Sequence, residues 1–303
     1  MVGVAEEAEL NRLESQVENG GGNVWEYLCL IKKLKIRRSE NVLRHGLVLL
    51  NDSKSRSKLG GDEWTLYEQV AIAALDCRNL AIAKDCIQTL MKKFPDSIRV
   101  GRLEGMWFEA KGSWEQATKV YSGLLEEHPL DQQIHKRKVA IAKAQGNLLE
   151  AVECLNKYLE IFMADHDAWR ELADIYISLQ MYKQAAFCFE ELILAQPSNA
   201  LFHLSYAEVL YTLGGLENLK LAKKYYAAAI DFTGGRNTRA LYGVCLCGAA
   251  INQLAKGRSR EEKESSELPS LAAAALVKDY KQRSPEKAPL VMSVLEQMKA
   301  ISL

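Results

Sequence analysis

The sequence predicts an all-α solenoid of antiparallel helix pairs, and two observations predict it. Ala83, Ala117, Ala151 and Ala185 recur every 34 residues, with Ala222 following after a three-residue slip. Pro95, Pro129 and, two steps on, Pro197 keep the same interval. A period of this length marks stacked helix–turn–helix units, each covering its neighbour's apolar face. Composition agrees: 48% hydrophobic residues suffice for a core, and six prolines with 8% aromatics suit helices better than many short strands.

With the frame set at residues 64, 98, 132, 166 and 200, His166 to Asn199 is the clearest unit. It carries Trp169, Leu172, Ala173, Tyr176, Ala185, Phe189 and Pro197. This is the tetratricopeptide spacing, with Ala173 where glycine is usual. The unit from Ile98 supplies Gly105, Phe108, Ala117, Tyr121 and Pro129 at equivalent places, and that from Trp64 supplies Ala71, Ala83, Ile87 and Pro95. The unit from Gln132 is weaker, with Met163 where a proline would stand. The unit from Ala200 gains three residues around Gly214 and Gly215. Small residues at 105, 173 and 185 let the two helix axes approach against large partners. Proline closes the second helix because it cannot extend the hydrogen-bond ladder. The resemblance to tetratricopeptide proteins implies a right-handed superhelix.

Outside this frame, 24–36 and 40–51 read as a divergent helical pair. Gly20, Gly21 and Gly22 precede it as a flexible lead, and polar, Gly-rich 51–62 reads as a mobile loop. Gly234 and Gly235 mark a break, and 237–255 reads as a helix. Residues 257–267 are charged without apolar periodicity and read as a disordered linker. Two helices follow, 268–282 and 288–301; Leu290, Val294, Leu295 and Met298 give the last an apolar side to cap the array or dock on a partner. The expected domains are therefore 1–62, the repeat array 63–235, and 236–303.

Several classes of function lose support. Lysine plus arginine equals aspartate plus glutamate, 39 against 39, unlike the usual basic nucleic-acid binder. The acidic N-terminus is not a secretory signal, and no apolar stretch reaches the ~20 residues of a membrane span. Seven cysteines with no C-x-x-C pair suit a reducing compartment. No histidines stand at metal-ligand spacing, and there is no phosphate loop or nucleophile motif. The expectation is a non-enzyme with no catalytic residues, metal, cofactor or small-molecule substrate.

Function is then expected in a groove. In tetratricopeptide arrays the first helix of each unit lines the concave surface, and that resemblance assigns Arg99, Arg102, Met106, Lys136, Lys143, Arg170, Asp174, Ile177, Leu204, Glu208 and Tyr211 to it. Arg99, Arg102, Lys136, Lys143 and Arg170 would form a basic band suited to an acidic peptide; the competing reading is an ordinary solvated face. Co-chaperone arrays that grip a C-terminal carboxylate place an Asn four residues after the basic residue. Here those places hold Met106, Ala140 and Asp174, so that mode is not expected.

Longer stretches are more specific. FPDSIRVGRLEGMWFEA (94–110), HKRKVAIAKAQGN (135–147), AWRELADIYI (168–177), KQAAFCFEELI (183–193) and YAEVLYTLGGLENLKLAKKYY (206–226) resemble the second-subunit family of the endoplasmic reticulum membrane protein complex. The resemblance implies a non-catalytic scaffold at the cytoplasmic face of that membrane, attached peripherally through partners. It would hold cytosolic segments of membrane-embedded subunits, and bind a soluble one, in an insertase for tail-anchored and multipass proteins. The alternative is a free cytosolic adaptor or co-chaperone that takes a short acidic peptide.

Overall fold

The computed structural model describes residues 4–254 and 267–302, and every regular element in them is helical. The chain divides into two compact units, residues 1–145 and 146–303.

The first unit holds α1 (Val4–Glu18), α2 (Val24–Leu34), α3 (Ser39–Asn51), α4 (Ser53–Leu59), α5 (Asp62–Asp76), α6 (Leu80–Lys93), α7 (Ile98–Lys111), α8 (Trp114–Glu127) and α9 (Gln132–Ala144). Helices α5/α6 and α7/α8 are the repeats that begin near residues 64 and 98. In α6 the buried residues are Ala83, Cys86, Ile87 and Leu90, the i, i+3, i+4, i+7 stripe of one helix face. Gly105 of α7 meets Tyr121 of α8 so closely that an added Cβ would lie 2.3 Å from the ring. The small-against-large contact expected from the period is therefore present.

The N-terminal region differs from expectation. A helix, α1, precedes the glycines and anchors through Leu10, Leu13 and Val17, all buried. Glu14 accepts from Asn41 on α3 and pairs with Arg38 at 3.2 Å, which ties α1 down further. Gly22 folds back on α1: a Cβ there would meet the Val17 nitrogen at 2.8 Å. The expected loop at 51–62 forms α4, capped by Asp52 through the Lys54 and Ser55 amides, with none of its residues buried. This polar segment is held helical by its cap, by Leu59 packed against the core, and by Arg56, which pairs with Glu63 at 3.4 Å.

The second unit holds α10 (Leu148–Ile161), α11 (His166–Ser178), α12 (Tyr182–Ala195), α13 (Ala200–Leu213), α14 (Leu216–Phe232), α15 (Thr238–Leu254), α16 (Glu267–Arg283), a 3-10 turn at Pro285–Lys287, and α17 (Ala288–Ser302). Helices α11/α12 and α13/α14 pair as repeats, and α15, α16 and α17 pack on one another at the end of the unit. On α17 the buried residues are Ala288, Val291 and Leu295, whereas Leu290 is 69% exposed. Of the expected apolar side, Leu295 is buried and Val294 and Met298 are half-buried, and only Leu290 faces outward. The expected linker falls outside the described residues, except Glu267, which begins α16.

The 34-residue period is written into the backbone as well as the core. Arg78, Gly112, Gly146, Gln180 and Gly214 all have positive φ, between +57° and +78°. Arg78, Gly112, Gln180 and Gly214 sit in the turns between paired helices, where a left-handed residue reverses the chain, and Gly146 lies between α9 and α10. Ser97, Asp131, Asp165 and Asn199, again 34 apart, stand at the N-caps of α7, α9, α11 and α13. The slip before Ala222 leaves this register intact: Gly214 keeps its place, and α14 is 17 residues long where α6, α8, α10 and α12 have 14. The inserted residues extend a helix rather than the turn at Gly214–Gly215.

Candidate functional site: the first-helix faces

A second periodic device recurs at the start of three first helices, α9, α11 and α13. Nε2 of His135 lies 2.9 Å from the Pro129 carbonyl, Nε1–H of Trp169 donates to the Met163 carbonyl at 2.9 Å, and Nε2 of His203 lies 2.7 Å from the Pro197 carbonyl. Both sets of positions advance by 34. A ring nitrogen near the helix start thus clasps the loop before it, which orients the face that carries the expected groove residues.

In the first unit, Arg99 is exposed but bonded: its guanidinium donates to both oxygens of Glu68 on α5, with Nε at 3.2 Å from Oε1. Arg102 is mostly buried, 19% exposed, with Nη1 3.5 Å from the Asp131 carboxylate. That carboxylate also caps α9 through the Gln133 and Ile134 amides at 2.9 and 3.0 Å. Met106 is half-buried against a cluster of Ala74, Leu75 and Ala83. Lys136 and Lys143 are exposed on α9. Between them Arg137 reaches Glu109 on α7 at 3.3 Å, and Glu109 accepts the Tyr121 hydroxyl at 2.5 Å. Burial and that carboxylate together push the Tyr121 phenol well above its ordinary range.

In the second unit, Arg170 pairs with Asp167 of its own helix at 3.6 Å. Asp174 is exposed and Ile177 half-buried. Leu204 is only 5% exposed, so it belongs to the core rather than to a groove lining. Glu208 meets Arg239 of α15 at 2.5 Å. Burial pushes its carboxyl up, and the guanidinium pulls it down without cancelling that effect. Tyr211 is half-buried, and its phenol is likewise raised by burial.

The arginines of the expected basic band therefore each face a carboxylate. Arg99–Glu68, Arg102–Asp131, Arg137–Glu109 and Arg239–Glu208 join a first helix to its neighbour or to the neighbour's cap. Sequence reasoning missed Asp131, Arg137 and Arg239 as partners. The signal was an opposite charge 28 to 31 residues along the chain, just short of one repeat. No group of three or more His, Cys, Asp or Glu side chains among the described residues is placed to hold a metal.

Paired helices at a fixed period, clasped turns and charge-stapled first helices define a tetratricopeptide-repeat protein. The C-terminal part of a TPR repeat-containing protein from Cytophaga hutchinsonii superposes with a TM-score of 0.57 at 16% identity, over 88% of this chain and 98% of that one. A family model described as the EMC2 TPR-like repeat domain matches residues 81–214. ER membrane protein complex subunit 2-A of Xenopus laevis is 44% identical over 244 residues, 80% of this chain and 81% of its own. ER membrane protein complex subunit 2 of Dictyostelium discoideum is 37% identical over 238 residues, 76% and 73% of the two chains. The TPR repeat protein oca3 of Schizosaccharomyces pombe is 30% identical over 84% of this chain and 93% of its own. The chain belongs to the family of ER membrane protein complex subunit 2. Fold and family point to a non-enzymatic helical repeat protein.

Proposed function

We propose that this chain is a non-catalytic scaffold subunit of an endoplasmic reticulum membrane protein complex. It stands at the cytoplasmic face and holds cytosolic segments of membrane-embedded subunits in an insertase for tail-anchored and multipass proteins. The observation that carries the reading is 44% identity across four-fifths of both chains to a relative named ER membrane protein complex subunit 2-A. No helix among the described residues is long and apolar enough to cross a membrane, which fits attachment through partners. In this reading the repeat array runs over 63–235, with 1–62 and 236–303 as its two ends.

Within each unit the exposed residues of the expected lining, Lys136 and Lys143 in the first and Asp174 with the accessible part of Ile177 in the second, would meet partner segments. The paired arginines speak against the free-adaptor alternative in its acidic-peptide form, because Arg99 and Arg102 already have carboxylate partners. Affinity capture of the tagged chain from digitonin-solubilised membranes, followed by mass spectrometry, tests the proposal. Recovery of several membrane-spanning proteins in fixed ratio supports it; recovery of soluble chaperones alone sinks it.

A further inference from the structure

The unit formed by residues 1–145 contains a second candidate site, away from the expected band. A crevice of about 190 Å³ opens between α2, α3 and α5. Its apolar lining includes Ile36, Val42 and Ile72. Four cations, Lys32, Lys35, Arg37 and Arg38, line it against the single carboxylate of Asp76. They come from the run KKLKIRR (32–38), a concentrated basic stretch in a chain of zero net charge. Arg38 is held by Glu14, and Arg37 lies 3.7 Å from Asp76. Lys32 and Lys35 are exposed and make no ion pair among the described residues. The crevice therefore keeps two unmatched positive charges beside an apolar floor.

The lining itself selects among anionic ligands: an extended peptide has side chains to fill the apolar floor and carboxylates to meet the basic rim, whereas a free phosphate brings charge alone.

We propose that this crevice binds an acidic peptide segment of a partner protein. One apolar side chain sits on the floor near Val42 and Ile72, and flanking carboxylates reach Lys32 and Lys35. The inference does not depend on membership of the membrane complex, because it is tested on the isolated full chain.

Fluorescence anisotropy with a labelled short peptide, one leucine flanked by glutamates, measures the binding. A lysine-flanked peptide, and vesicles of phosphatidylcholine containing phosphatidylserine, are the comparisons. The glutamate peptide should bind, more weakly as salt rises, and the lysine peptide should not. Lys32→Glu with Lys35→Glu should weaken binding about tenfold or more. Lys33→Glu, on the same helix but outside the crevice lining, should weaken it less than the double variant, and Arg99→Gln, in the expected band, should leave it within about twofold. All the altered side chains are exposed, and unchanged circular dichroism verifies folding. Absence of glutamate-peptide binding would overturn the proposal. So would equal loss in the Lys33 or Arg99 variants, or a double variant that loses only vesicle binding.

Discussion

Gly105→Ala and Gly123→Ala should shift stability in opposite directions. An alanine Cβ at 105 would lie 2.3 Å from Cε1 and 2.5 Å from Cζ of Tyr121. That ring is fully buried, and its hydroxyl is bonded to Glu109, which in turn holds Arg137. The ring therefore cannot swing away without straining the bond that links α8 to α7. Overpacking of this kind costs about 1–3 kcal/mol, and weakening a hydrogen bond to a charged group adds up to about 1.5–3 kcal/mol. Helix propensity returns about 0.8–1.0 kcal/mol. The net expectation is a loss of about 1–3 kcal/mol, the overpacking range, with the other two terms roughly offsetting. At Gly123, exposed on α8, an added Cβ meets nothing within 4 Å, so only the propensity gain of about 1 kcal/mol remains. Urea unfolding followed by tryptophan fluorescence reads this unit well, since Trp25, Trp64, Trp107 and Trp114 lie in it and only Trp169 does not. If Gly105→Ala were as stable as wild type, with Gly123→Ala stabilised, the Gly105–Tyr121 contact and the helix register it fixes would be refuted.

Three other outcomes follow from the same physics. Arg102→Glu sets a second carboxylate against Asp131 in a mostly buried place and should cost about 1–3 kcal/mol in urea unfolding, whereas exposed Arg99→Glu should cost no more than about 1 kcal/mol; equal effects would mean that the Arg102 pair is not structural. Gln180→Gly should stabilise by about 0.5–1 kcal/mol in thermal unfolding by circular dichroism. A left-handed side-chain residue costs about 1–2 kcal/mol, of which glycine's greater chain entropy takes back about 0.5–1 kcal/mol; a less stable variant would show that the Gln180 side chain makes a compensating contact. In maleimide labelling at pH 8 with mass-spectrometric readout, exposed Cys29 should react before Cys86 and Cys188. Burial pushes those two thiols up to about 11 and about 12 and hides them from the reagent; early modification of Cys188 would contradict its burial.

The repeat was legible because its chemistry is local and recurrent. Alanines every 34 residues, prolines after the second helices and a tyrosine opposite a glycine leave a mark that needs no tertiary information. The same period ran through residues that attract less notice: the left-handed series at 78, 112, 146, 180 and 214, and the ring clasps of His135, Trp169 and His203. Arg78 and Gln180 hid the first series, since glycine is the expected residue there. Helix α1 was obscured by its glutamates, because only Leu10, Leu13 and Val17 mark its buried side. Helix α4 offers a single apolar residue, Leu59, too little for a periodic signal. The expected groove was not legible as a charge surface. Arg102 and Asp131 are 29 residues apart, and only the folded chain brings them together. Leu204, assigned to the groove by frame alone, is drawn into the core.

The most direct test of the scaffold reading is the chain's own size in a membrane extract. Endogenously tagged protein in digitonin-solubilised microsomes should elute from size-exclusion chromatography far above its 34.0 kDa mass, together with membrane-spanning proteins. After the membranes are dissolved in a denaturing detergent it should elute alone. Elution of the native extract at the monomer position, with the protein otherwise confined to the soluble fraction, would contradict the account.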